Sequence, residues 1–118
     1  MMEQQEQINL IKWTQQPSIR GKYPALKYLF HIANERPDKI QAANLKKMGV
    51  KPGVPDLFLP VAKGHYHGLW IEMKKAGGRA SADQIWWLGH LESEGYACRV
   101  CYSWEEGAEV LEWYLKLA

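Results

Sequence analysis

The sequence predicts an α/β fold in which helices pack on a mixed β-sheet, and three observations carry that prediction. Two apolar runs, Leu57 to Ala62 and His67 to Met73, are separated only by Lys63-Gly64-His65-Tyr66, the pattern of a β-hairpin. A third strong run, Tyr96 to Ser103, follows after a stretch with helical spacing, and strand–helix–strand connections favour right-handed crossovers and parallel pairing. Along the whole chain the order reads helix, strand, helix, strand, strand, helix, strand, helix. Hairpin and crossover together make the sheet mixed.

Each element has its own justification. Met2 to Gln16 is helical, with Ile8 and Ile11 at helical spacing, Leu10 and Trp13 widening the apolar face, and Pro17 stopping it. Gln16 to Pro24 reads as a loop carrying Arg20 and Lys22. Tyr28 to Ala33 is apolar and aromatic and reads as a strand, and His31 within it as a satisfied sheet histidine rather than a metal ligand. Asp38 to Met48 is a helix with an acid near its start and Gly49 as its stop. Its last turn bears Lys46 and Lys47, which complement the helix dipole or hold a phosphate backbone. Ser81 is the expected N-cap of a helix over Ala82 to Glu94 that closes at Gly95, with Ile85, Leu88 and Leu91 as the buried stripe and Trp86 and Trp87 adding bulk. The final helix, Trp104 to Leu117, has an apolar face of Ala108, Leu111, Tyr114 and Leu115.

With 118 residues, the chain is expected to form one domain over 1–118. A hydrophobic fraction of 47% with 12% aromatics fits a folded protein. The formal net charge of +2 permits a polyanionic partner without demanding one, so any basic surface must be local. No apolar run approaches the roughly 20 residues that span a membrane, and the polar, acidic amino terminus lacks the features of a secretory signal. A cytoplasmic protein is the expectation. Cys98 and Cys101 have CxxC spacing, but they lie in a strand, where residues three apart face opposite sides, and no second ligand pair accompanies them. They are expected to be buried thiols without special chemistry.

The chemistry concentrates between Gly53 and Lys74. Asp56 stands at the mouth of the first hairpin strand, while Glu72 and Lys74 share one face of the second. Antiparallel pairing brings all three to one end of the sheet. Two carboxylates without a histidine or cysteine cluster favour a hard divalent cation, Mg²⁺ or Mn²⁺, over zinc. Such an ion activates water and neutralises charge on a phosphate oxygen, and a lysine beside it can position the water or stabilise the developing charge. Spacing alone leaves a second reading open, in which Asp56 caps a turn and Glu72 and Lys74 pair as exposed strand neighbours.

Gly53-Val-Pro-Asp56, Ile71-Glu72-Met73-Lys74 and Gln84 resemble the PD-(D/E)XK signature of restriction-endonuclease-like nucleases, and in particular the virus-type replication-repair nuclease (VRR-NUC) family. Glu3-x-x-x-Gln7, Asn34-x-Arg36, the lysine-rich run into Gly53-Val-Pro-Asp56 and Gly-Gly-Arg-x-Ser before the Gln84 helix are similar to its small phage and bacterial members. The resemblance covers about residues 3 to 110. It implies a metal site of Asp56, Glu72 and the Met73 carbonyl, with Mg²⁺ or Mn²⁺ as cofactor. Lys74 becomes the catalytic lysine, Glu3 the helix-borne acid that holds water at the metal, and Gln84 a residue that orders the site. Glu6 competes with Glu3, and the spacing to Gln7 favours Glu3. Asn34, Arg36, Lys51 and Arg79 become DNA-backbone contacts, of the kind that select structure rather than sequence. Free-standing members resemble Holliday-junction resolvases and act as homodimers, which implies branched DNA as substrate and a second copy as partner. Three other functions compete: a nuclease for flaps or nicked duplex, a catalytically silent DNA-binding module, and a small-molecule hydrolase. The intact Asp56, Glu72 and Lys74 set argues against the silent module. The flanking cations and the lack of a nucleotide-binding Gly-rich loop argue against the hydrolase.

Overall fold

In the computed structural model, which describes residues 2–33 and 38–118, the elements follow the predicted order with two additions. Helix α1 (Glu3–Gln15) is followed by a short helix α2 (Pro17–Lys22) and a 3₁₀ turn (Pro24–Tyr28). Strand β1 (Phe30–His31), helix α3 (Lys39–Lys47) and strands β2 (Leu57–Leu59) and β3 (Leu69–Met73) come next. Helix α4 (Ala82–Ser93), strand β4 (Ala97–Cys101) and helix α5 (Trp104–Leu115) complete the chain.

The first additional element arises where the sequence suggests a loop. Pro17 does end α1, but its fixed φ and missing N–H suit the first position of a new helix, and α2 starts on it. Pro24 opens the 3₁₀ turn in the same way, which takes Tyr28 out of the expected strand and leaves only Phe30 and His31 paired. The remaining elements fall within the ranges expected, and several end on the residues singled out for it. Asp38 caps α3 by accepting the Gln41 N–H at 2.7 Å. Ser81 caps α4 in a full capping box with Gln84.

The described residues form one four-stranded sheet in the order β1-β2-β3-β4. β2 and β3 pair antiparallel through the hairpin, and β3 and β4 pair parallel across α4, as expected. β1 and β2 also flank a helix, yet they pair antiparallel, so the crossover rule does not extend to that connection.

Strand alternation gives the sheet two distinct faces. Leu57, Leu59, Leu69, Ile71 and Met73 are all buried in the core with Leu10, Leu111 and Tyr114. Phe58, Trp70 and Glu72 alternate with them and point to the other face. The α1 and α5 helices pack together at Gly107, where a Cβ would stand 2.7 Å from Leu10 Cδ2, so any larger residue would have to displace the tip of the buried leucine.

Two expected stripes are corrected. In α1 Leu10 is buried and Ile11 and Trp13 pack half-buried against the core as read, but Ile8 is exposed, and Glu6 and Thr14 complete the buried stripe at i−4 and i+4 from Leu10. In α4 only Leu91 is buried, and Ile85 and Trp86 are 61% and 68% exposed. The α5 face of Ala108, Leu111, Tyr114 and Leu115 is buried as read. Among the described residues, no helix is long and apolar enough to cross a membrane.

Candidate active site

The site forms at one end of the sheet, where three elements bring carboxylates together. Asp56 immediately precedes β2, Glu72 is the penultimate residue of β3, and Glu3 opens α1. One oxygen from each of Glu3, Asp56 and Glu72 lies within 4.8 Å of the others. The helix-borne acid in this group is Glu3. Glu6 is turned away and buried, and its carboxylate accepts the Trp104 N–H at the start of α5, so it joins two helices rather than facing the site.

Two of the three carboxylates are oriented by a neighbour. Asp56 Oδ2 accepts the Met73 N–H at 2.8 Å, which ties the residue before β2 to the end of β3. Glu72 Oε2 accepts Gln84 Nε2 at 2.9 Å and lies 3.5 Å from Lys74 Nζ. Gln84 Oε1 in turn accepts the Ser81 N–H at 2.8 Å, so the capping box of α4 also fixes the amide that holds Glu72. The loop bearing Asp56 is pressed against that same first turn. Gly53 has φ +88°, and a Cβ there would stand 2.6 Å from the Asp83 carbonyl carbon, a place only glycine fits.

The electrostatics are those of crowded anions in a dry place. Burial, then the neighbouring Asp56 charge, pushes the Glu72 carboxyl up to about 8, with Lys74 pulling the other way. Asp56 is also raised, first by burial, against the lowering effect of the Met73 N–H. Glu72 is 1% exposed, and its Oε1 has no hydrogen-bond partner among the described residues. A buried carboxylate oxygen left without a donor is what a cation would satisfy. With three carboxylates converging and no imidazole or thiolate among them, the donor set fits a hard divalent ion such as Mg²⁺ or Mn²⁺. Glu3, Asp56 and Glu72 are the side chains that would hold it.

A cleft of about 670 Å³ opens onto this cluster. One wall is the start of α1, including Glu3, Gln7 and Ile8; the other is His31, Asp56 and Lys75. Lys74 does not line the cleft; it is 12% exposed and occupied with Glu72 behind it. Lys51 and Arg79 are exposed and lie outside the cleft lining. Asn34 and Arg36 fall outside the described residues. His31 is satisfied, as read, by the Asp56 carbonyl at 2.9 Å from Nδ1, but its ring also lines the cleft. Sequence reasoning missed Lys75 because it belongs to what reads as a flexible connector; its place directly after the β3 end was the available signal. Cys98 and Cys101 are buried and unbridged, and burial pushes both thiols up to about 12.

The family model for the VRR-NUC domain matches residues 1–105. The chain belongs to the VRR-NUC family. A solved structure described as a VRR_NUC domain protein superposes with a TM-score of 0.84 at 32% identity, over 100% of this chain and 91% of that one. No curated protein matches the chain. Membership makes this VRR-NUC protein a nuclease, with DNA as its substrate class, and its four-stranded mixed sheet flanked by helices is the family fold.

Proposed function

We propose that the chain is a single-domain, cytoplasmic DNA endonuclease that depends on Mg²⁺ or Mn²⁺, works as a homodimer and cuts branched DNA, four-way (Holliday) junctions before other shapes. One observation carries the metal-dependent reading: Glu3, Asp56 and Glu72 converge on one point, with a buried Glu72 oxygen unpartnered. When bound, the ion lowers the pKa of a water and neutralises charge on a phosphate oxygen.

The chain's own residues do the rest. Asp56 and Glu72 are held at the end of the sheet by the Met73 N–H and by Gln84, so neither carboxylate has to reorganise during the reaction. The Met73 carbonyl is the further ligand the family pattern implies. The Lys74 ammonium, the catalytic lysine of the family pattern, stands by Glu72 Oε2, where it favours the ionised carboxylate. Glu3, on the cleft wall, would hold the ion from the α1 side and accept a hydrogen bond from water bound to it. Asn34, Arg36, Lys51 and Arg79 are contacts to the DNA backbone, and of these Lys51 and Arg79 are exposed outside the cleft lining. The homodimer rests on the symmetry of a junction, which requires two equivalent sites. The exposed Ile85 and Trp86 on α4 are apolar surface suited to a second copy.

The test is cleavage of a labelled four-way junction beside matched flap, nicked and linear duplex DNA, with Mg²⁺, Mn²⁺ or EDTA. Paired symmetric nicks on the junction, abolished by EDTA and by Asp56→Ala, are the expected result. Lys74→Ala is expected to bind metal and DNA but not to cut. Cutting of flaps or nicked duplex alone would keep the metal site and overturn the junction. Binding without cleavage of any substrate would make the chain a silent module.

A further inference from the structure

We infer that Lys75 is a second lysine of the site, the one that contacts the substrate phosphate, whereas Lys74 acts from behind the carboxylates. The inference rests on the nuclease reading above and adds the group that draws DNA into the cleft. The cleft presents Glu3 and Asp56 to its ligand, and a lysine on its wall adds attraction for DNA phosphate beyond that of a bound ion. Lys75 is the lysine that lines the cleft, and it makes no ion pair with the described residues. Lys74 is nearly buried against Glu72, and Lys51 and Arg79 lie outside.

The backbone at Lys75 is fixed as well. The Gly78 N–H donates to the Lys75 carbonyl at 2.9 Å, closing a tight turn directly after β3. Gly77 sits at its third position with φ +79°, the conformation a type II turn requires there. This anchors the base of a long, exposed side chain that lines the cleft one residue beyond Lys74. His31 stands on the same wall. A carbonyl only accepts, so His31 Nδ1 carries the proton donated to the Asp56 oxygen, and the ring fixed by this bond also lines the cleft.

The experiment measures binding of a labelled four-way junction in Ca²⁺ across a salt series, then cleavage in Mg²⁺, for wild type, Lys75→Gln and Lys75→Arg. Losing one phosphate contact per protomer is expected to weaken DNA binding about 5–10-fold for each site engaged and to reduce the slope of log K against log salt by about one per protomer, about two for the dimer on a junction. KM is expected to rise with kcat changed less than about threefold, and Lys75→Arg is expected to restore the slope. Mn²⁺ affinity by calorimetry is expected to match wild type, because Lys75 is not among the clustered carboxylates. An unchanged slope and affinity in Lys75→Gln would overturn the inference, as would a loss of kcat or of Mn²⁺ binding with DNA affinity intact. A wild-type protein that binds junctions but cuts nothing would defeat the nuclease reading, and the salt slope would still decide the role of Lys75.

Discussion

Glu72 gives the sharpest quantitative prediction, because its proton and the metal compete for the same oxygens. With the carboxyl pushed up to about 8, Glu72 is roughly nine-tenths protonated at pH 7 in the metal-free protein. Binding a divalent ion must expel that proton, since a ligating carboxylate is ionised. The number released at pH 7 is therefore expected to lie between about one half and one, falling toward zero above about pH 9. Apparent metal affinity is expected to rise about tenfold over the same interval. The stability effect has a definite sign. A carboxyl whose folded pKa is raised contributes stability that is complete below its unfolded value near 4.5 and lost as pH rises through about 8. The metal-free fold should therefore weaken between pH 5 and 8, by on the order of 5 kcal/mol at most, since Asp56 and Lys74 share the titration. Added Mn²⁺ should restore it. Calorimetry in two buffers of different ionisation enthalpy counts the protons directly, with Glu72→Gln as the control that releases none from this group. A wild-type protein that binds Mn²⁺ at pH 7 without releasing a proton would refute the reasoning.

Three further predictions separate residues that resemble one another. Glu6→Ala removes the acceptor of the Trp104 N–H from a buried site and should cost about 2 kcal/mol, seen as a Tm lower by about 5–10 °C, with cleavage intact below melting. Glu3→Ala should do the reverse, lowering cleavage at least about 100-fold with stability within about 0.5 kcal/mol of wild type. Gly53→Ala and Gly49→Ala both force alanine into positive φ, but only the first meets the α4 backbone. Gly49→Ala should cost about 1 kcal/mol by denaturation. Gly53→Ala should cost clearly more and lower kcat as well, because Gln84 moves with the turn it strikes; equal costs would show that the contact is unimportant. Cys98 and Cys101 should resist alkylation at pH 8 in the folded protein and react on unfolding, and fast native labelling would contradict their burial.

The parts of this site that were legible in the sequence are those fixed by local rules. The two-residue period of a strand puts Glu72 and Lys74 on one face, and a short hairpin sets Asp56 against them, so their meeting follows from spacing. Ser81 as the N-cap of α4 is equally local, whereas the role of Gln84 beside Glu72 comes from the family resemblance, and the structure supplies the bond between them. What spacing could not supply is which face of a helix the rest of the molecule covers. Glu6, Leu10 and Thr14 form the buried stripe of α1 because α5 offers a free N–H to Glu6 and a glycine to Leu10. Neither partner is visible from the composition of α1, and a buried acid is a poor guess without its donor. Ile85 and Trp86 differ in the opposite sense: the α4 stripe and its added aromatic bulk suggest core, and the structure leaves both residues outside it. The short β1 has the same origin, since Pro24 claims Tyr28 for a turn before pairing can begin. Lys75 and His31 enter the cleft through three-dimensional proximity alone.

The central claim is that Glu3, Asp56 and Glu72 hold a divalent ion at the end of the sheet. Anomalous scattering from crystals grown with Mn²⁺ tests it most directly. The account predicts a peak enclosed by the three carboxylates, with Glu72 Oε1 as a ligand and Gln84 still bonded to Oε2. A fully occupied Mn²⁺ elsewhere, with the three carboxylates bare and Glu72 Oε1 still unpartnered, would contradict it.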